Sequence, residues 1–243
     1  DAGSGLDGAS APASSLGIHG AYEGAADWFA RQMGFGEDDF YRWTSGHLTT
    51  LGAHFTRVNT LLIWDVIEPA LGGGYNWEVR RTDRVLQRIY APGNAIEALV
   101  GFDVGQQVGQ RDPLAYPTEF QRFVRAVVER YDGDGVDDVP AGRPVRVKYW
   151  QAGNEWPNWI ARGKRTADYV QLVRLFAEAV HQADPEARVV LIAQMPRDPL
   201  STWWERAVVD LAGVVDVVDL HDWNDAGHWR MTNLEAARAF LDD

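Results

Sequence analysis

The 243-residue chain contains no cysteine. That excludes disulfides, thiolate catalysis and cysteine-ligated zinc, while leaving the redox compartment undecided. No run of about 18 apolar residues occurs, so no segment reads as a membrane-spanning helix. Positive charge is scarce: 23 Lys and Arg stand against 35 Asp and Glu, for a net charge of −12. Nucleic acids and anionic membrane surfaces both need basic patches, so neither is an expected partner. The chain has no Walker A pattern and no Gly-x-Gly-x-x-Gly after a strand, which weakens a nucleotide-binding reading. It also shows no short internal repeat.

What is present is enough for one large domain with a full core, since 46% of residues are hydrophobic and only 24% charged. Eleven Trp are unusually many. Large rings belong mostly in cores, and Trp203 and Trp204 fit that role. Trp150, Trp156, Trp159 and Trp223 lie instead near expected strand tips, where ligand contact is the expectation. Residues 1–15 are small and polar and read as a flexible linker, leaving 16–243 as the folded domain. A start at Asp1 rather than Met suggests a mature exported protein or a trimmed one, with a secreted location expected.

Apolar, β-branched runs alternate with amphipathic stretches. Strands are expected over residues 16–21, 55–63, 95–102, 145–150, 188–193 and 214–220. Between them, Thr118-x-x-Gln121 reads as a capping box, followed by Phe120, Phe123, Val124, Val127, Val128 and Tyr131 at helical spacing. Thr166 opens a second helix carrying Tyr169, Val170, Val173, Phe176, Ala177 and Val180, stopped by Asp184-Pro185. Thr202-x-x-Glu205 opens a third, and Thr232-x-x-Glu235 a last one. Residues 80–90 form a weaker helical stretch. Strand–helix alternation means parallel strands with helical crossovers. The spacing of roughly 25–50 residues per unit suits a (β/α) barrel, with a doubly wound sheet as the alternative.

The informative polar residues fall at the C-terminal ends of these strands, where barrel active sites sit. Residues 145–150 lead through Gly153 to Asn154 and Glu155, followed by Trp156 and Trp159. A carboxylate at a strand tip among rings is poorly solvated, which raises its pKa towards the range of a general acid. Asn154 offers the donor and acceptor that a sugar hydroxyl needs. Arg57 lies in an otherwise apolar strand and needs a carboxylate partner there. His221 follows the sixth strand and could orient a carboxylate or bind a hydroxyl. His19 ends the first strand, near Tyr22 and Glu23.

These segments resemble a known family. Phe55-Thr-Arg-Val-Asn, Trp64-Asp-Val-Ile-Glu-Pro69, Tyr75-Asn-Trp77, Tyr149-Trp-Gln-Ala-Gly-Asn-Glu155 and Val217-Val-Asp-Leu-His221 are similar to clan A glycoside hydrolases of the family 39 or family 5 kind. The resemblance covers roughly residues 16–225. It implies a (β/α)8 TIM barrel with two catalytic glutamates and no catalytic cofactor. It implies that Glu155 is the general acid/base and that Asn154 holds the sugar 2-hydroxyl. Arg57 and His221 would lie beside the nucleophile. From their own positions near strand ends, Trp150, Trp156 and Trp223 are candidates for sugar stacking and His19 for lining the site. The resemblance also implies strands seven and eight, the seventh ending in the nucleophile. Neither has a counterpart before Asp243, so the expectation is a barrel of about six β/α units, C-terminally cut. Glu23 and Glu68 are weak candidates for the second carboxylate.

One motif stands apart. Asp132-Gly-Asp-Gly-Val-Asp-Asp138 alternates carboxylates around a Gly turn, as in the start of a calcium loop, but lacks the later bidentate Glu. Asp132, Asp134 and Asp138 are the candidate ligands of a structural calcium ion, with a solvated acidic turn as the plainer reading. The expected function is a retaining glycosidase acting on β-linked sugars, with an oligosaccharide or glycoside as its partner. A barrel that binds carbohydrate without cleaving it is the rival. An α/β enzyme of another reaction type is a weaker third.

Overall fold

The computed structural model describes residues 17–19, 32, 34–91, 96–103, 110–140, 145–154, 163–194 and 203–221. Six strands form one sheet: β1 (Gly17–His19), β2 (Phe55–Ile63), β3 (Glu97–Asp103), β4 (Tyr149–Ala152), β5 (Arg188–Gln194) and β6 (Val217–His221). Their order in the sheet is their order in the chain, and every neighbouring pair is parallel. A doubly wound sheet would reverse direction at a switch point. None occurs among these strands, so the winding is that of a barrel wall.

Helices α1 (Glu37–Thr50), α2 (Trp64–Ile67), α3 (Thr82–Ile89), α4 (Pro117–Tyr131), α5 (Thr166–Ala183) and α6 (Trp203–Asp210) fill the crossovers. Strand alternation gives the sheet two faces. Val58, Val100, Phe102, Trp150 and Leu191 point to the helix side and are at most 1% exposed. Phe102 is the hub: its ring meets Phe176 of α5 edge-on at 5.0 Å and Phe123 of α4 at 5.9 Å. Such pairs contribute about 0.5–1.5 kcal/mol each beyond the area they bury. The helices are also tied to one another. Arg130 of α4 pairs with Asp83 of α3 and stacks over Trp77.

Several expected boundaries move, each for a local reason. Residues 145–148 lie outside the ladder; there the Val147 N–H donates to Tyr131 O at the end of α4. Residues 214–216 also lie outside β6: the N–H groups of Val214 and Val215 close the turn after α6 on Leu211 O. The Thr118 capping box does not form. Pro117 takes the first helical position, and no side chain caps the helix. The Gln121 amide instead donates across to Leu175 O and Glu178 on α5. Residues 1–15 and the Thr232 helix lie outside the described residues. Among the described residues, no helix is long and apolar enough to cross a membrane.

Candidate active site

The opposite face of the sheet carries the polar residues. Its geometry begins with Arg57, nearly buried in the first half of β2 with a side chain 10% exposed. The guanidinium donates from Nε and Nη2 to Gln151 Oε1 on β4, at 2.8 and 2.6 Å. Nη2 also donates to Asn154 Oδ1 at 2.8 Å. Gln151 passes the chain on: its Nε2 donates to Asp219 Oδ2 on β6 at 2.8 Å. Arg57 Nε and His221 Nε2 each lie 3.4 Å from that same oxygen. Four residues from three strands, with Asn154 just beyond β4, thus form one connected cluster.

The parity of the strands explains the convergence. Gln151 registers with Val190 on β5, and Val190 with Val217, so residues 219 and 221 share the face of Gln151. On the other side Arg57 registers with residue 19 of β1. The register therefore places His19 alongside Arg57. Gly153, at φ 77°, turns the chain out of β4, and its N–H donates to Phe102 O at 2.9 Å. That turn delivers Asn154 to the rim, within reach of Arg57. A residue with a Cβ would be strained there.

Asp219 is a lasting anion. Burial alone would push its carboxyl up, but hydrogen bonds from His221 and Gln151 and the nearby positive charges hold it below the usual carboxylate range. It is the carboxylate partner that the sequence demanded for Arg57. Neither Asp219 nor Gln151 stands out in the sequence as a site residue. The available signal was a polar residue inside an apolar strand, the same signal that marked Arg57.

Trp150 requires a correction. It is fully buried on the helix side, against Phe102 at 5.9 Å, and cannot stack on a ligand at the polar face. Its neighbour Gln151 points inward, so Trp150 must point outward. Glu68 is equally remote: it is fully buried beneath the outer layer, accepting from Trp64 Nε1 at 2.7 Å and Gly72 N–H at 3.0 Å, and pairing with Arg122. It braces the segment after α2. Glu155, Trp156, Trp159 and Trp223 lie outside the described residues, as do Tyr22 and Glu23.

The acidic turn after α4 brings carboxylate oxygens of Asp132, Asp134 and Asp138 within 4.8 Å of one another. That spacing suits a hard cation such as calcium. The same carboxylates also bind their own loop. Asp138 accepts from the N–H groups of Gly133 and Gly135, Asp132 from Asp134, and Asp134 from Val136. Gly133 sits at φ 74°, and a Cβ there would lie 2.5 Å from Val145 O, so the turn packs tightly on the chain leading to β4. Burial, followed by the charges of Asp134, Glu129 and Asp184, pushes the Asp132 carboxyl up to about 6.

A cavity of about 520 Å³ opens at the other, N-terminal end of the strands, lined by Tyr90, Glu97, Arg146, Lys148, Tyr149, Glu186 and Arg188. Its cations are matched by acids: Lys148 pairs with Asp184, Arg146 with Glu186 and Arg188 with Asp216.

No family model matches the sequence, and no curated protein does. Solved structures do match. A glucosidase from Croceicoccus marinus superposes with a TM-score of 0.59 at 15% identity, over 82% of this chain and 44% of its own. An α-L-arabinofuranosidase from Thermotoga maritima gives 0.55 at 14% identity, over 84% and 44%. A psychrophilic glycoside hydrolase family 10 endo-β-1,4-xylanase gives 0.53 at 16% identity, over 77% and 62%. By fold, this chain is similar to the TIM barrels of clan A glycoside hydrolases. It spans between 44% and 62% of the length of these three neighbours. The barrel expected from the sequence is met in its first six strands.

Proposed function

We propose that this chain carries the acid/base half of a retaining glycosidase site acting on β-linked sugars. The observation that supports this most is the Arg57–Asn154 hydrogen bond at 2.8 Å. It ties the residue before Glu155 to β2 at the C-terminal end of a sheet whose fold is shared with glycoside hydrolases. In this reading the Glu155 carboxylic acid donates its proton to the glycosidic oxygen as the C–O bond breaks. A second carboxylate, on a strand outside β1–β6, attacks the anomeric carbon and forms a glycosyl ester. Glu155, now a carboxylate, takes a proton from water. The water oxygen then displaces the ester and releases the sugar. The two carboxyl groups would stand about 5–5.5 Å apart. Asn154, fixed by Arg57, positions a sugar hydroxyl beside Glu155, and His221, beside Asp219, lies at the same rim. Trp156, Trp223 and His19 are the candidate walls of the sugar site.

The test is Glu155→Gln in the full-length protein, assayed on xylan or cellobiose and on a 4-nitrophenyl glycoside. Turnover of the unactivated substrates should fall by about 10²–10⁴-fold. The nitrophenyl substrate should suffer less, because its leaving group needs no proton. Unchanged turnover of the oligosaccharide removes Glu155 from this role.

A second reading is a barrel that binds carbohydrate without cleaving it. It is favoured by the state of Asp219, a polar-face carboxylate already engaged by three donors. Calorimetric binding of xylo- or cello-oligosaccharides with no product formed would select this reading.

A further inference from the structure

Among the described residues, Asp219 is held through one oxygen. Gln151, Arg57 and His221 all converge on Oδ2, at 2.8, 3.4 and 3.4 Å. No hydrogen bond from a described residue reaches Oδ1, and that atom is not among the buried unsatisfied ones. The Asp219 side chain is also the most open of the three charged groups: it is 23% exposed, against 10% for Arg57 and 12% for His221. The carboxylate is thus clamped in orientation at one oxygen, while its other oxygen accepts no hydrogen bond from a described residue.

Such a group is a ready-made acceptor. Its orientation is fixed in advance by three strands' worth of donors, so little is lost in ordering it when a ligand arrives. It is ionised, so a hydroxyl that donates to it makes a charge-assisted hydrogen bond, roughly twice as strong as a neutral one. It cannot donate, so it selects ligands that bring a proton of their own, and it repels anionic groups. Beside it, Asn154 supplies an amide at the rim of the same face, joined to Asp219 through Arg57 and Gln151. An acceptor and an amide on one rigid frame suit a polyhydroxylated, uncharged ring.

We propose that Asp219 is a specificity-determining residue of the polar face, its Oδ1, which no described residue engages, accepting one particular hydroxyl of a neutral sugar. This rests on the carbohydrate reading above but not on cleavage, and it holds equally for a binding barrel. The sequence position carries its own logic. Residue 219 lies two positions before His221 on β6, one layer deeper towards the middle of the strand, so the contact forms at the floor of the site rather than at its mouth.

The experiment is a cross between one residue and one hydroxyl. Binding of methyl and 4-nitrophenyl β-D-xylopyranoside, β-D-glucopyranoside and β-D-galactopyranoside to the full chain is measured by calorimetry. The monodeoxy analogues of whichever binds are then measured as well. In the wild type, removal of the hydroxyl that faces Asp219 should weaken binding by about tenfold or more, as for a hydrogen bond to a charged group. In Asp219→Asn that one penalty should shrink to about twofold, while the penalties at the other positions persist. Asp219→Asn keeps the shape and an acceptor for Arg57. Asp219→Ser is a second variant should the amide fail to fold, and a thermal melt establishes which is folded. A folded variant in which every deoxy penalty is unchanged overturns the proposal and leaves the carbohydrate reading intact. A wild type that binds none of the sugars overturns both.

Discussion

The two faces of one sheet follow opposite rules. On the helix side, Phe102, Phe123, Phe176 and Trp150 are fully or almost fully buried and meet ring to ring. Their stabilisation comes from close packing of rings, and every lost atom leaves a cavity. On the other face, Arg57, Gln151, Asp219 and His221 are held by a few directional bonds whose geometry must be right. Desolvating that many polar groups offsets much of what their bonds return. The outer face therefore carries the stability. The inner face keeps its polar groups in spite of that cost, which makes it the candidate site.

The sharpest way to break this contrast is to remove one ring and one charge. Phe176→Ala should destabilise the fold by about 3–5 kcal/mol in urea denaturation, because a fully buried ring at the junction of α5 with β3 leaves a cavity. Arg57→Met should cost less, about 1–3 kcal/mol, since Gln151, Asn154 and Asp219 lose a charged donor but Asp219 can still reach water. Carbohydrate binding should fall with Arg57→Met out of proportion to that loss, and remain near wild type in any Phe176 variant that still folds. If Arg57→Met proves the more destabilising of the two, the polar face is structural and the contrast fails.

The smallest effect concerns the acidic turn, which belongs to neither face. Asp132 titrates near 6 in the folded chain against 3.8 for an ordinary aspartate. Its raised value means that the folded state holds the proton more tightly than the unfolded one. This favours folding at low pH, and the benefit is lost as pH rises from about 4 through about 6. Asp132→Asn, which keeps the acceptor for the Asp134 N–H, should therefore melt higher than wild type at pH 8 and no higher at pH 4. Calcium should narrow the gap at pH 8 if the three carboxylates hold the ion. A gap that is the same at both pH values, with or without calcium, would remove any special state of Asp132.

Much of the architecture was legible in the sequence. Phe55–Ile63 is bounded as expected, because its apolar β-branched run is flanked by breaks in pattern. The α5 helix begins at Thr166 and ends before Asp184-Pro185, where the proline forbids continuation. Helix α1 was not legible. Its buried stripe is Phe40, Tyr41, Thr44, Ser45 and Leu48, and two of those five are hydroxyl residues that an apolar count passes over. In the site, Arg57 and Asn154 could be read from their neighbours, and the structure joins them. Trp150 could not be assigned from position alone. A strand's period of two shows that residues 150 and 151 face opposite ways, but not which of the two faces meets the helices.

The sequence alone determined what depends on neighbours along the chain: the alternation of strand and helix, the strand that carries Arg57, and the Gly153 turn that ends β4. Hydrophobic period and turn chemistry are local, so one chain suffices to read them. Only the tertiary structure decided what depends on neighbours in space. It paired Arg57 with Gln151, 94 residues away, and Gln151 with Asp219, 68 residues away. Those partners are chosen by strand order and register across the sheet, and no spacing within a single segment encodes them.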